Sequence, residues 1–290
     1  MHKNTDRLYV SDRLPERSEN SHKGDFGRIL NIAGSVNYPG AAYLSSISAL
    51  KTGAGYLTLA APKEIIPITA SMAPEITFMP LKSQNGAVSA ENNIENLEKY
   101  DVLSIGCGLT NTEETQKFVL NLLKTRNPEQ KLILDADGIN ILAASQEIIP
   151  LKNAVITPHP KELSRLLKID AEEIITNREK YAAEAAEKYE CITVLKGHNS
   201  IITDGINVFI NQTGSSALAK AGSGDVLTGI ISGLAAQKLS LLEAAVSGAY
   251  LHGLSGDIAA KDLAEYCVLA SDIIKYLPEA LKQTAGIEQA

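Results

Sequence analysis

Residues 211–233 decide the fold, and they read Asn-Gln-Thr-Gly-Ser-Ser-Ala-Leu-Ala-Lys-Ala-Gly-Ser-Gly-Asp-Val-Leu-Thr-Gly-Ile-Ile-Ser-Gly. At their centre, Gly222-Ser223-Gly224-Asp225 ends a stretch of small residues and leads directly into an apolar helix. Glycines allow backbone N–H groups to approach a ligand closely. The start of the helix adds unpaired N–H groups and the positive end of its dipole. The segment predicts a site for phosphate or another developing anion, with Asp225 at its edge as a general base.

The same residues also have a purely structural interpretation. Asp is a preferred helix N-cap, and glycines often precede helices because loops need them. Taken alone, the segment supports the anion site and the structural cap equally. The rest of the chain has to decide between them.

Composition excludes several classes of function. The 290 residues are 44% hydrophobic and carry a net charge of −7, which favours a large core and argues against general nucleic-acid binding. Aromatic residues make up only 5% and Trp is absent, so stacking on single strands is disfavoured. No signal peptide and no membrane-spanning stretch is found, so we expect a cytoplasmic protein without membrane or nucleic-acid partners. Cys107, Cys191 and Cys267 form no CxxC pair and are expected to be buried free thiols.

Short β-rich runs alternate with helical stretches along the chain. The predicted strands are 28–33, 56–60, 102–105, 131–134, 154–157, 192–195, 200–203 and 207–210. The predicted helices are 41–52, 113–124, 171–189, 226–237, 241–260 and 271–282. Asp204-Gly205 predicts a two-residue hairpin turn. This order predicts a polar N-terminal arm, 1–22, and a single α/β domain, 23–290, with three layers and a mainly parallel central sheet.

Polar residues or glycines follow successive predicted strands. In open α/β sheets, ligands bind in the crevice beyond the carboxyl ends of the strands. We therefore expect several strand-end segments to face one crevice: Gly34-Ser35, Gly106-Cys107-Gly108, residues 135–140, His159 and Lys196-Gly197.

Several widespread catalytic motifs are absent from the sequence. There is no P-loop, no Gly-x-Gly-x-x-Gly after the first strand and no Gly-x-Ser-x-Gly nucleophile elbow. The five histidines lack the spacing of metal ligands. His252 falls in the middle of a predicted helix, which favours a surface or core position over catalysis.

Together these segments resemble the ADP/ATP-dependent (S)-NAD(P)H-hydrate dehydratases of the ribokinase-like superfamily. The superfamily signal is Gly222-Ser223-Gly224-Asp225, where Ser223 replaces the usual Ala. The resemblance covers residues 23–260, and the epimerase domain that accompanies some members is expected to be absent. The family signal is an ordered set of segments: Lys23-Gly24-Asp25-Phe26-Gly27, Gly34-Ser35, Tyr38-Pro39-Gly40-Ala41-Ala42, Leu134-Asp135-Ala136-Asp137, Thr157-Pro158-His159-Pro160 and Lys196-Gly197.

The resemblance implies a two-step reaction and assigns residues to it. A nucleotide, with ADP favoured over ATP, phosphorylates the ring hydroxyl of the S epimer of hydrated NADH or NADPH, and phosphate then leaves. Asp225 is the implied catalytic base. The implied substrate contacts are Ala42 (or its neighbour Ala41), Gly108, His159 and Asp225. The implied nucleotide contacts are Lys196, Gly197, His198, Asn199, Ser200, Gly222, Ser223 and Gly224.

The resemblance also implies partners. Mg²⁺ is expected, because polyphosphate transfer needs its charge neutralised, but its ligands are not assigned. Asp135, Asp137 and Asn140 either orient Mg²⁺ or water, or hold the strand end. A homo-oligomer is expected, often a tetramer in the family.

Two rival functions share part of the sequence pattern. The first is a ribokinase-like kinase of a small alcohol, of the thiamine-precursor or pyridoxal type, which releases a stable phosphorylated product. The Thr157-Pro158-His159-Pro160 segment and the Lys23 to Gly27 segment disfavour it. The second is a noncatalytic nucleotide-sensing module, which an intact Asp225 disfavours.

Overall fold

A ten-stranded central sheet organises the computed structural model, which describes residues 2–286, with side chains described from Thr5 onward. The strands are β1 His2–Thr5, β2 Arg28–Ile32, β3 Tyr56–Pro62, β4 Thr77–Leu81, β5 Ser83–Gln84, β6 Ala87–Val88, β7 Val102–Ile105, β8 Lys131–Leu134, β9 Ala154–Ile156, β10 Ile192–Leu195, β11 Ser200–Thr203 and β12 Val208–Asn211. The order across the sheet is β1-β12-β11-β10-β9-β8-β7-β2-β3-β4, and β5 pairs separately with β6. Neighbours in the described sheet are parallel except where β11 pairs with β10 and β12.

Helices cover both faces of this sheet. They are α1 Arg7–Ser11, α2 Pro39–Thr52, α3 Ile66–Met72, α4 Glu113–Thr125, α5 Asp137–Ala144, α6 Pro160–Leu167, α7 Ala171–Thr176, α8 Arg178–Tyr189, α9 Ser223–Ala236, α10 Leu241–Leu263 and α11 Ala270–Ala285. Successive strand residues point to opposite faces, so Ile29 of β2 packs into one apolar cluster with α9 and α10, and Leu30 into the other with α4 and α6. The predicted three-layer architecture with a mainly parallel sheet is confirmed.

The structure corrects three local predictions. Strands β11 and β12 are joined by the four residues 204–207, not by a two-residue turn, because Asp204 Oδ1 accepts the N–H groups of Ile206 and Asn207. The helix predicted over 171–189 is interrupted at Asn177, which separates α7 from α8. All three thiols are free, but Cys267 is exposed because it lies in a 3₁₀ turn between α10 and α11.

Close packing of α9 against α2 places the start of α9 over the carboxyl ends of the strands. Glycine makes this approach feasible: a Cβ added at Gly229 would lie 2.0 Å from Ser48 Oγ, and one added at Gly233 would lie 2.6 Å from the carbonyl oxygen of Ala49. The small residues of the late helices therefore pack within the core. No helix within residues 2–286 is both long and apolar enough to cross a membrane.

The N-terminal arm contributes to the sheet. Its first residues form β1, which pairs in parallel with β12 at one sheet edge. In α1, which follows, Val10 is fully buried. The boundary at residue 22 stays a prediction, but the structure shows that residues 2–11 pack onto the fold.

Candidate active site

A buried ion pair lies at the carboxyl ends of β8 and β10. Lys196 Nζ donates to Asp135 Oδ1 at 2.7 Å, and Thr228 Oγ1 donates to Asp135 Oδ2 at 2.6 Å. Asp135 is only 1% exposed. Burial alone would raise the pKa of this carboxyl group, but Lys196 and the hydroxyl donor hold the pKa below its ordinary value. Asp135 is therefore an ionised carboxylate whose two oxygens both accept hydrogen bonds.

The same lysine faces a second carboxylate on α6. Its Nζ lies 3.8 Å from Oε2 of Glu162, which is buried. Burial lowers the pKa of Lys196, but Asp135 and Glu162 outweigh it and hold that pKa above its ordinary value. Lys196 is thus a fixed positive charge at the strand ends. The sequence signal that predicts Glu162 is its position three residues after His159 at a helix start, a capping-box spacing.

His159 is the N-cap of α6 as well as part of the site. Its Nδ1 accepts the N–H groups of Lys161 and Glu162 at 3.1 and 3.3 Å, and its own N–H donates to Glu162 Oε2 at 2.7 Å. Burial, followed by the charge of Lys196, lowers the pKa of His159 to about 4. At neutral pH the side chain is a neutral imidazole with Nδ1 as acceptor.

The first turn of α9 has the features of an anion site. Gly222 is its N-cap, with φ at +90°. The N–H groups of Gly224 and Asp225 find no acceptor within the described part of the chain. A Cβ added at Gly224 would lie 3.5 Å from Lys196 Nζ and 3.8 Å from Asp135 Oδ2. Free amides, the helix dipole and a lysine charge therefore converge on one point.

Asp225 lies inside the helix and does not cap it. It is the third residue of α9, since Gly222 occupies the cap position and makes no side-chain capping bond. Burial, and next the nearby charge of Asp135, raise the pKa of Asp225 to about 6, although the Cys107 thiol and Lys196 act in the opposite direction. The structural-cap interpretation is excluded, and Asp225 is a carboxylate close to the ionisation range of a general base.

A cavity of about 830 Å³ opens beside the first turn of α9. That volume suits a ligand of nucleotide size. His159 lies on its wall. Seven of the residues assigned to the nucleotide also line it: Lys196, Gly197, His198, Asn199, Ser200, Ser223 and Gly224. Gly222 lies outside the lining, because it packs against Leu44 and Ala270.

Two further residues, which the sequence patterns do not assign to the site, belong to this cavity region. Arg178 of α8 donates from Nη2 to the carbonyl oxygen of Leu195 at 3.1 Å and from Nη1 to that of His198, which holds the loop after β10 in place. His252 of α10 lines the cavity and contacts Ser223. Both positions depend on contacts between distant elements, so periodicity does not predict them.

Two of the residues assigned to the hydrate, Gly108 and Ala42, lie beside or within the start of α2, whereas His159 and Asp225 lie at the starts of α6 and α9. A Cβ added at Gly108 would lie 2.7 Å from Tyr38 Cβ and 2.8 Å from Ala41 Cβ, so only glycine fits there. Ala42 is fully buried, whereas Ala41 keeps part of its surface exposed. Of these two alanines, only Ala41 has a side chain that a ligand can reach.

Asp137 and Asn140 are engaged within the fold. Asp137 Oδ2 accepts the N–H of Thr110 at 2.8 Å, and Asn140 Oδ1 accepts from Arg165 at 2.9 Å. Burial raises the pKa of Asp137. Asp137 therefore holds the loop at Thr110, and Asn140 links α5 to α6.

The Lys23 to Gly27 segment lies at the opposite end of the sheet, immediately before β2. Its backbone packs tightly: a Cβ added at Gly55 would lie 1.7 Å from the carbonyl oxygen of Lys23, and one added at Gly27 would lie 2.2 Å from that of Ala236. In this chain the segment therefore acts in packing and does not line the cavity.

Comparison with known proteins identifies the family of this chain. The family model described as NAD(P)H-hydrate dehydratase matches residues 29–279. The chain belongs to the NAD(P)H-hydrate dehydratase family. Its members include the ADP-dependent (S)-NAD(P)H-hydrate dehydratase of Bacillus subtilis (strain 168), 33% identical over 277 residues that cover 95% of this chain and 96% of that protein.

Longer members of the dehydratase family are also similar. The bifunctional NAD(P)H-hydrate repair enzyme Nnr of Moorella thermoacetica is 40% identical over 282 residues, which cover 94% of this chain and 53% of that protein. The chain thus spans about half the length of the bifunctional relatives it matches.

Solved dehydratase structures share the fold. The ADP/ATP-dependent NAD(P)H-hydrate dehydratase from Bacillus subtilis, co-crystallized with ATP/Mg²⁺, superimposes with a TM-score of 0.86 at 31% identity, covering 97% of this chain and 98% of that chain. A ribokinase-like superfamily protein from Enterococcus faecalis V583 gives a TM-score of 0.83 at 28% identity, covering 98% and 96%. The predicted ribokinase-like fold is confirmed.

Proposed function

We propose that this protein regenerates NADH or NADPH from the S epimer of its hydrate, with ADP, or else ATP, as the phosphoryl donor. The observation that carries the proposal is Asp225, whose pKa is raised to about 6 beside two acceptor-free amides and a nucleotide-sized cavity. Membership of the dehydratase family supplies the substrate class. ADP is the favoured donor because the similar stand-alone relatives are named ADP-dependent.

In the first step, Asp225 accepts the proton of the ring hydroxyl. The hydroxyl oxygen attacks the terminal phosphorus of the nucleotide, the bond to the leaving phosphate oxygen breaks, and ADP gives AMP. The N–H groups of Gly224 and Asp225, with Lys196 close by, stabilise the negative charge on the transferring phosphoryl group. General-base assistance of this kind contributes on the order of 10²–10⁴ in rate.

In the second step, the phosphorylated carbon loses inorganic phosphate. The lone pair of the ring nitrogen forms a C=N bond as the C–O bond breaks, and loss of a proton from the neighbouring carbon restores the dihydropyridine. Phosphorylation is needed because hydroxide is a poor leaving group and phosphate is a good one. The overall change is removal of water from the hydrate, coupled to hydrolysis of one phosphoanhydride bond.

The site fits a Mg²⁺ ion that enters with the nucleotide. Within residues 2–286 no group of three or more His, Cys, Asp or Glu side chains could hold a metal by itself. Mg²⁺ commonly binds through one or two carboxylates, substrate phosphates and water. Glu162 is suited to this role, since its Oε2 accepts the N–H of His159, whereas its Oε1 accepts no backbone hydrogen bond within the described residues and lies 3.5 Å from Nε2 of His159. The ion would neutralise phosphate charge when bound.

The residues that line the site suggest where the nucleotide and the hydrate bind. We assign the nucleotide to the cavity lined by Lys196, residues 197–200 and the first turn of α9. We assign the hydrate to the side of Asp225 that faces Gly108 and the start of α2, with the neutral imidazole of His159 between the two ligands. Ala41 takes the contact that the family pattern assigns to Ala42.

We further propose a cytoplasmic homo-oligomer, with a tetramer as the expected assembly. This proposal rests on the family alone, because the small residues of α9 and α10 pack within the core. Light scattering coupled to size-exclusion chromatography measures the mass of the particle directly, and a monomer would contradict the proposal.

The experiment that tests the proposed function follows two products together. Purified protein is incubated with NADH hydrate, Mg²⁺ and either ADP or ATP, and the recovery of dihydronicotinamide absorbance is compared with the release of phosphate. Equal growth of NADH and phosphate is expected, with ADP the faster donor. No NADH with either donor, together with phosphorylation of a small alcohol, would favour the kinase alternative.

A further inference from the structure

His252 makes a specific contact with the first turn of α9. Its Nε2 lies 3.0 Å from the carbonyl oxygen of Ser223 and 3.1 Å from the hydroxyl oxygen of the same residue. Both side chains are nearly buried, with 7% of His252 and 5% of Ser223 exposed, and both line the nucleotide cavity. The histidine thus contacts a residue of the anion site within the wall of the cavity.

The two distances determine which ring nitrogen carries the proton. A carbonyl oxygen only accepts hydrogen bonds, so Nε2 of His252 has to be the donor. Burial lowers the pKa of His252 to about 4, so the ring is neutral at pH 7 and its single proton is on Nε2. A protonated Nε2 cannot accept a hydrogen bond from the Ser223 hydroxyl.

The Ser223 hydroxyl proton therefore needs another acceptor. Within the described structure, Oγ of Ser223 has no hydrogen-bond partner besides His252. Ser223 lines the cavity together with Gly224 and Lys196, and the acceptor-free amides of Gly224 and Asp225 follow it in the same helical turn. A hydroxyl proton at this place would meet a phosphate oxygen.

We propose that His252 is a positioning residue that directs the Ser223 hydroxyl proton into the cavity, where the hydroxyl donates to a phosphate oxygen of the nucleotide. The inference rests on the proposed function, because it needs a nucleotide in this cavity. It also gives a role to the departure at position 223, since an Ala there cannot make this contact.

The first test compares two probes that differ in phosphate. Binding of ADP and of adenosine to the full chain is measured by calorimetry for the wild type, Ser223→Ala and Ser223→Thr. A hydrogen bond to a charged group corresponds to roughly 10- to 100-fold in affinity. Ser223→Ala should weaken ADP binding by about this factor and leave adenosine binding unchanged, while Ser223→Thr, which keeps the hydroxyl, should bind ADP like the wild type.

The second test asks whether His252 acts through Ser223. In His252→Gln the amide nitrogen is separated from Cβ by the same number of bonds as Nε2, so the donor is kept, whereas His252→Leu removes it at similar size. His252→Leu should lose affinity for ADP but not for adenosine, and His252→Gln should recover most of it. In a Ser223→Ala background, His252→Leu should cause no further loss of ADP affinity relative to adenosine. Thermal unfolding of each variant reports whether the fold is intact.

The outcomes separate the inference from the proposed function. A wild-type protein that binds no ADP contradicts the proposed nucleotide site itself. A wild type that binds ADP, with Ser223→Ala binding it equally well, overturns the role of the hydroxyl. Additive losses in the Ser223→Ala/His252→Leu double variant, or equal losses of ADP and adenosine in His252→Leu, overturn the positioning role.

Discussion

At the residue scale, the surroundings of Asp225 destabilise the ionised form of its carboxyl group. Its pKa is raised from the ordinary 3.8 to about 6, a difference that corresponds to about 3 kcal/mol. The charged form is destabilised by burial and by Asp135, which is what makes the carboxylate ready to accept a proton near neutral pH. Catalytic ability and a local loss of stability have the same cause.

This raised pKa predicts the pH dependence of the rate. A general base has to be ionised in the free enzyme, so kcat/KM should fall as pH drops through about 6. With a general base that has the ordinary pKa of Asp, kcat/KM would not change until the pH fell to about 4. Initial rates between pH 4.5 and 8 measure this limb of the profile, and a flat profile across pH 6 would exclude Asp225 as the titrating base.

Removal of the Asp225 charge should lower the reaction rate and raise the free energy of unfolding. Asp225→Asn should lower the rate by about 10²–10⁴. Because the raised pKa disfavours the charged form in the fold, the variant should be more stable than the wild type above pH 6, by up to about 3 kcal/mol. The difference should shrink as pH falls from about 6 and vanish below about 3.8, where Asp225 is protonated in both the folded and unfolded states.

Urea unfolding at pH 7.5 and pH 4.5 measures the difference in stability, and initial rates measure the loss of activity. Glu113→Gln is the control. Glu113 is also a carboxylate in the first turn of a helix, but it is exposed at the surface of α4. Its replacement should leave the rate unchanged and should not stabilise the protein at pH 7.5, because the ion pair with Lys117 holds the pKa of Glu113 below its ordinary value. An Asp225→Asn protein less stable than the wild type at pH 7.5 would contradict the conclusion that the ionised form of Asp225 is destabilised in the folded protein.

The Lys196–Asp135 pair should show the cost of an unpaired buried charge. Lys196→Met should lower the free energy of unfolding by about 3–5 kcal/mol, since Asp135 is then left buried without its partner. Adding Asp135→Asn should restore much of that loss, although nucleotide affinity should stay low in both variants. Urea unfolding and ADP calorimetry measure the two effects, and equal stability of the single and double variants would contradict the pairing.

At the element scale, the contact between α2 and α9 determines where the anion site lies. Gly229→Ala should destabilise the fold by several kcal/mol, because the new Cβ would lie 2.0 Å from Ser48 Oγ and 2.2 Å from the carbonyl oxygen of Ser45. Gly40→Ala is the matched control, since a Cβ there meets nothing within 4 Å. It should be neutral or stabilise by up to about 1 kcal/mol. Thermal unfolding compares the two, and a neutral Gly229→Ala would contradict the close approach of the helices.

Sequence patterns predict strands better than they predict interruptions. The strands at 102–105, 131–134, 192–195 and 200–203 have the predicted bounds, because each is a short apolar run ended by a polar residue or glycine. The helical pattern of the sequence does not predict the break at Asn177, since polar residues continue on both sides of it. Helix α3 and strand β4 are also missing from the prediction, although both contribute to the edge of the sheet beyond β3.

At the scale of the whole molecule, a parallel sheet brings residues distant in sequence to one edge. Asp135, His159, Lys196 and the turn at Gly224 are each predictable as strand-end or helix-start residues, and the topology places them together. Glu162 and His252 acquire their roles only from contacts between elements: Glu162 lies beside Lys196, which follows β10, and His252 lies beside the first turn of α9. The capping-box spacing after His159 indicates Glu162 as a helix-start residue, but the sequence holds no signal for its contact with Lys196 or for that of His252 with Ser223.

The central claim is that the ring hydroxyl leaves as phosphate, and an oxygen label tests it most directly. NADH hydrate labelled with ¹⁸O at the ring hydroxyl is converted by the protein with ADP and Mg²⁺, and the inorganic phosphate is examined by ³¹P NMR. The account predicts one ¹⁸O atom in each phosphate released, because the C–O bond breaks after the hydroxyl oxygen has been phosphorylated. Label found in water, with unlabelled phosphate, would contradict the account.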